Sequence, residues 1–222
     1  MAAAENEGRL GSSRVGKRST RKEILERKKT IDELIRKAVA VKDHLAQFPS
    51  FHKYQRNDIS VYLESGRGDQ LTLPMRKYIP NLLKVNMEKP YGPEWPSEEK
   101  VKRRQMVAPE ARYLFVKQQF VLEEELPVVY VYELQMEPSA QGKGLGKFMM
   151  QLIEEIACES QMGAVMLTVQ KANTLAMTFY NKLGYVISST SPSRVDPQIG
   201  LEKSYEILCK AFDPEAKSKL EN

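Results

Sequence analysis

Three glycines fall within five positions in the run Gln141-Gly142-Lys143-Gly144-Leu145-Gly146-Lys147. Glycine lets backbone N–H groups approach a ligand that a side chain would hold off. The run leads into Leu145, Phe148, Met149, Leu152, Ile153, Ile156 and Ala157, the spacing of one buried helix face. A helix N-terminus has N–H groups without partners and a dipole that favours an anion, so the chemistry to expect is capture of a phosphate or pyrophosphate. The spacing does not fit a P-loop, since Phe148 follows Lys147 where Ser or Thr is needed. It does not fit a dinucleotide fingerprint either, being G-x-G-x-G rather than G-x-G-x-x-G. A glycine-rich turn with no ligand is the plain alternative. A second group able to do chemistry is Glu133, in the apolar run 128–136, where a charge is costly. Strict alternation sets Val129, Val131, Glu133 and Gln135 on one side and Tyr130, Tyr132 and Leu134 on the other. A solvated strand face is the alternative for Glu133.

The elements that would position these groups are a strand over residues 128–136, rich in β-branched and aromatic residues, and the helix that follows the glycines. Pro138 ends the strand's ladder. A further strand is expected at 165–169, then a helix beginning at Asn173.

Gln141, Gly144 and Gly146, after a strand and before an amphipathic helix, resemble the acetyl-CoA pyrophosphate loop of the GNAT acetyltransferases. The run from Asn173 through Ala176, Phe179, Tyr180, Lys182, Gly184 and Tyr185 resembles a later helix of the same superfamily. The implied fold is α/β: a mixed, mostly antiparallel sheet flanked by helices, here with a long N-terminal helix. More narrowly, the runs at 130–135, 143–148, 165–169, 191–193 and 204–208 resemble the N-terminal acetyltransferase D family. A weaker likeness extends to Phe48-Pro49 and to Tyr54, Arg56 and Asn57. That family acetylates the N-terminal amine of histones H4 and H2A, which begin Ser-Gly-Arg-Gly.

The resemblance implies acetyl-CoA as co-substrate, with no metal, and the histone tails as partners. The pyrophosphate would meet the amides of Gln141, Gly142, Lys143, Gly144, Leu145 and Gly146. The thioester and pantetheine would meet those of Leu134, Gln135 and Met136. Asn173 would contact the CoA arm, or cap its helix, or both. Glu133 would be the base acting through a water, and Tyr180 the acid for the leaving thiolate, its alternative being packing on the helix. Tyr91, Trp95, Tyr132, Thr168, Thr190 and Tyr205 would line the substrate groove. For the loop of Tyr91 and Trp95, a plug over the core is the alternative.

Of 222 residues, 41% are hydrophobic, the formal net charge is +5, the pI is about 9.0 and mean hydropathy is −0.48. Those values suit one soluble domain over residues 20–212 between tails, a disordered basic one at 1–19 and a disordered one at 213–222. No apolar run approaches the ~20 residues of a membrane span. The two cysteines, Cys158 and Cys209, read as reduced thiols of a cytoplasmic and nuclear protein. Two histidines argue against a His triad or zinc site. The basic N-terminal cluster leaves nuclear import or a ribosome contact open beside a solvated helix face; no direct nucleic-acid or membrane role is expected.

Along the chain, a helix is expected at 20–46, a strand at 59–64, a turn at 65–69, a helix at 73–87 kinked or restarted at Pro80, and a short helix capped by Ser97. A strand is expected at 113–117. Residues 117–127 then look too short for the full strand the fold requires, with only 119–123 able to pair and Glu123 alone available as an acidic substitute. That segment favours a CoA-binding module with impaired turnover. Another GNAT substrate amine is the further alternative.

Overall fold

The computed structural model describes residues 20–109, 111–113 and 116–222. The expected basic tail at 1–19 lies outside them. In order, the elements are α1 (Arg21–Ala40), β1 (Lys53–Arg56), β2 (Ile59–Tyr62), β3 (Gly66–Arg67), α2 (Leu73–Tyr91), α3 (Trp95–Gln105), β4 (Arg112–Tyr113), β5 (Val116–Glu123) and β6 (Leu126–Leu134). Then follow α4 (Leu145–Glu159), β7 (Ala164–Gln170), α5 (Thr174–Lys182), β8 (Val186–Ile187), α6 (Pro192–Val195), α7 (Pro197–Glu202), β9 (Tyr205–Ala211) and α8 (Pro214–Leu220). One seven-stranded sheet has the order β3-β4-β5-β6-β7-β9-β8, and β1 pairs with β2 apart from it. Among the described residues only β6 and β7 run parallel; the other pairings are antiparallel, as the α/β expectation has it.

The core follows from the apolar spacing. Met149, Met150, Leu152, Ile153, Ile156 and Ala157 of α4 are buried, packing with Val129, Val131, Val165, Leu167 and Val169. Several expected boundaries move. Helix α1 starts at the Thr20–Glu23 capping box but stops at Ala40, not 46, because Val41 is extended and Asp43 Oδ1 accepts from the N–H groups of Leu45 and Ala46, starting a new turn. Helix α2 runs through Pro80 and on to Tyr91. Helix α3 begins at Trp95 rather than after Ser97, with Pro96 in its first turn. Residues 192–202 hold the short helices α6 and α7.

Residues 117–127 do not lack a strand. β5 spans Val116–Glu123 and pairs along its length with β6 through a two-residue turn. That turn is possible because Glu124 and Glu125 both adopt positive φ, 46° and 59°, the backbone shape a tight hairpin needs. Of the strand expected over 113–117, the described residues place Tyr113 in β4 and Val116 and Lys117 in β5.

The tail expected at 213–222 is also corrected. Asp213 caps α8 through its bond from Ala216 N–H at 2.8 Å, and Ala216 and Leu220 are fully buried against Leu126, Val128, Ala164, Met166 and Cys209. Replacing Leu220 with Ala should therefore cost about 2–5 kcal/mol in urea unfolding. A loss below about 0.5 kcal/mol would mean that α8 does not stay docked. Cys209 lies under this helix, its thiol pushed up to about 11 by burial, whereas Cys158 is exposed.

Candidate active site

β6 and β7 pair from Val128–Ala164 to Val131–Leu167 and then diverge, although β6 continues to Leu134 and β7 to Gln170. The divergence opens a cleft of about 420 Å³. Into it face Glu133, Leu134 and Gln135 of β6, Thr168 and Gln170 of β7, Asn173 and Tyr180 of α5, and Tyr91, Glu98 and Lys102 of α2 and α3.

A β-bulge sets the direction of Glu133. The register of β5 on β6 passes from Lys117↔Glu133 to Gln118↔Val131, so Tyr132 is the extra residue. Bulges re-aim side chains. This one breaks the alternation expected to group Glu133 with Val131: Val131 enters the core, while Glu133 Oε1 forms a largely buried ion pair with Lys102 Nζ. Glu133 Oε2 accepts from Gln135 Nε2 at 3.1 Å. Burial pushes the Lys102 ammonium below its ordinary range, with Glu98 acting in the opposite sense. Asn86 of α2 donates to both Gln135 Oε1 and the Met136 carbonyl at 2.9 Å, fixing the strand end.

The glycine turn lies beyond that end. Gly142 and Gly144 have φ of 72° and 86°, and Gly144 precedes the first residue of α4. Among the described residues, no backbone carbonyl accepts from the N–H groups of residues 142–147. Two side chains keep it so. Tyr54 Oη and Asn57 Nδ2 both donate to the Lys143 carbonyl, at 2.5 and 2.9 Å, and thereby occupy the acceptor that Lys147 N–H would otherwise use. The result is a cradle of donors at a helix N-terminus with the dipole behind it. Gly146 packs closely for a different reason: a Cβ there would come within 2.7 Å of Met136 Cε, the flexible end of that side chain, and 3.2 Å of Phe179 Cζ, so both would have to shift. Replacing Tyr54 with Phe removes one of the two bonds to Lys143. It should weaken anion binding at the cradle by about two- to tenfold without unfolding the chain, as calorimetry with CoA would measure. Unchanged affinity would separate Tyr54 from the cradle.

Residues 87–185 match the model of the Acetyltransferase (GNAT) family. The chain carries the GNAT acetyltransferase fold. Similar solved structures include the PaiA N-acetyltransferase of Thermoplasma acidophilum in complex with coenzyme A. It is 14% identical, with 68% of this chain and 100% of that chain covered and a TM-score of 0.47. Arabidopsis thaliana Naa50 in complex with the bisubstrate analogue CoA-Ac-MVNAL is 18% identical, with coverages of 68% and 100% and a TM-score of 0.44. The NatC complex bound to Gag peptide and CoA is 14% identical, with coverages of 69% and 100% and a TM-score of 0.47.

Within the GNAT fold, the expected residues separate into those the cleft and its loop bring together and those they do not. Glu133, Leu134, Gln135, Asn173, Tyr180, Tyr91, Tyr132 and Thr168 line the cleft. Asn173 caps α5, its side chain accepting from Ala176 N–H at 3.1 Å. Tyr180 is buried against Phe179 and Tyr185, and burial raises its phenol far enough to keep the proton at any working pH. Gln141 departs from expectation: its own N–H donates to the Glu137 carbonyl, and its side chain closes on the Met136 carbonyl, so it builds the turn rather than adding a donor to the cradle. Leu145 points into an apolar cavity, and only its N–H belongs to the cradle. Trp95 is 4% exposed and packs behind Tyr91, ring centroids 5.9 Å apart, which fits the plug. Thr190 and Tyr205 are not in the cleft lining: Thr190 Oγ1 bonds the Ser188 hydroxyl, and Tyr205 starts β9 opposite Gln170.

Three cleft-side residues, Asn86, Lys102 and Gln170, escaped sequence reasoning, whereas Glu123 is the acidic substitute already expected there. Asn86 and Lys102 are polar positions on helices whose partners are distant in the chain, and nothing local marks them. Glu123 faces the cleft with its carboxyl pushed up, first by burial and then by Glu124. Gln170 lines the cleft, is 5% exposed, and lies beside Tyr91. A glutamine ending an apolar strand is the signal that could have found it.

Proposed function

We propose that this protein moves acetyl from acetyl-CoA to the N-terminal amine of proteins that begin Ser-Gly-Arg-Gly, as histones H4 and H2A do. The observation that carries the reading is the pairing of an N–H cradle at residues 142–147, which follows the end of β6 in the chain, with a carboxylate-lined cleft at the divergence of β6 and β7. The cradle suits the pyrophosphate of CoA, with the Leu134, Gln135 and Met136 amides toward its thioester. Glu98, Glu123 and Glu133 outnumber Lys102 in the cleft, which favours an incoming cation, an N-terminal ammonium followed by arginine.

A free α-amino group has a pKa of ~7.7–8.0, so neutralising it is a small task. Glu133, ion-paired with Lys102, takes the proton through a water. The amine nitrogen then forms its bond to the thioester carbon, the carbon–sulfur bond breaks, and Tyr180 supplies a proton to the leaving thiolate. The proton lost by the ammonium reaches solvent, and Tyr180 is reprotonated by the second proton the amine releases. Asn173 and Gln170 line the cleft. The expected setting is cytoplasm and nucleus.

The test is acetyl transfer to synthetic H4 and H2A N-terminal peptides, with the same peptides already acetylated at the α-amine as controls. Transfer to the free peptides alone supports the proposal. Transfer to lysine side chains of the blocked peptides would replace it with a lysine acetyltransferase. CoA binding with no transfer to either peptide would leave a CoA-binding module of low turnover.

A further inference from the structure

A second, larger cavity of about 570 Å³ meets the cleft at the end of β6. The two share Lys102, Gln105, Glu133, Leu134 and Gln135 in their linings, so they communicate through that neck. Beyond the neck the character changes. Leu63 stands on one side, Ile79 and Leu82 of α2 on another, and Leu145 and Met149 of α4 on the third. Polar side chains line it at the neck, at Tyr78, which donates to Glu137 at 2.7 Å, and at Glu64, Ser65 and Tyr113.

An acetyl group needs no such space, and apolar surface facing water there gives up free energy when an apolar ligand covers it. Its occupant must be apolar and slender, must bring no backbone amides of its own to leave unsatisfied, and must connect to something held at Leu134. We infer that this cavity receives the aliphatic chain of an acyl-CoA longer than acetyl-CoA, its thioester held at the Leu134–Met136 amides and its methylenes passing the neck beside Leu134. The inference rests on the proposed CoA site. A peptide side chain meets the size condition but not the amide condition, since its main chain would have to follow it past the neck.

The experiment is calorimetric titration of the full chain with CoA, acetyl-CoA and octanoyl-CoA. Octanoyl-CoA is expected to bind about tenfold more tightly than acetyl-CoA, or better, because its added methylenes leave water. Ile79→Trp, which fills the cavity from α2, should abolish that preference and leave acetyl-CoA affinity unchanged. Val61→Trp, from the opposite wall, repeats the test should the first variant misfold, with thermal melting to report folding. Octanoyl-CoA binding no tighter than acetyl-CoA, or a preference that survives in a folded variant, overturns the inference while leaving the CoA site standing. Failure of all three ligands to bind would instead remove the CoA reading itself, and this inference with it.

Discussion

Gly144→Val is expected to weaken acetyl-CoA binding by about tenfold to a hundredfold, the equivalent of ~1–3 kcal/mol of backbone strain transmitted to the cradle. Two independent features set that size. At φ 86° a β-branched residue is strained whatever space it has. A Cβ on Gly144 would also come within 2.7 Å of Tyr54 Oη, the group that holds the Lys143 carbonyl away from the donors. The substitution therefore turns the peptide groups and loosens their brace together. Calorimetry with acetyl-CoA, alongside circular dichroism to establish folding, measures the effect. A folded Gly144→Val protein with unaltered affinity would sink the assignment of this turn to the pyrophosphate.

The second large effect belongs to Glu133. Its replacement by Gln should lower turnover by about 10²–10⁴-fold while acetyl-CoA affinity stays nearly constant, since a base acts in the transition state and not in co-substrate capture. The ion pair complicates a simple reading, because the variant also leaves Lys102 largely buried without its counter-charge. A double variant, Glu133→Gln with Lys102→Met, resolves this. It should recover the melting temperature lost by the single variant and recover none of the activity. Restored turnover in the double variant would show that Glu133 matters only by neutralising Lys102. The base would then be sought at Glu123, whose raised carboxyl faces the same cleft.

What could be read in the sequence was what is local. The stripe of α4 and the β-branched run of β6 repeat with the periods of their own elements, and the glycines announce a turn in which positive φ is required. Hairpins were less legible. Asn57 and Asp58, with φ of 50° and 61°, are residues that commonly adopt this shape, yet the β1–β2 hairpin was not anticipated, only its second strand. Glu124 and Glu125 adopt the same shape without belonging to the residues that favour it, so a paired strand looked like a loop. The bulge at Tyr132 is a mismatch between two strands, a property of neither alone, and it overturned a direction for Glu133 derived from one strand's alternation. Helix α8 offered only Ala216 and Leu220 at helical spacing among charged residues, too little apolar signal to distinguish a docked helix from a polar tail.

The parting of β6 from β7 has a thermodynamic side. A sheet normally leaves peptide groups unused at its margins, where water or covering chain serves them. Here the gap lies between two interior strands, in a region that the packing on either side keeps from closing. A ligand bridging that gap would act as a removable part of the sheet, so the folded state would be favoured by about 2.7 kcal/mol at a hundred times its dissociation constant. Apparent melting temperature would then report ligand concentration, and slow amide hydrogen exchange near residues 132–136 would appear only once the gap is filled. Cellular abundance of the protein would accordingly follow the supply of acyl donor, through the fraction of chains left open to proteolysis.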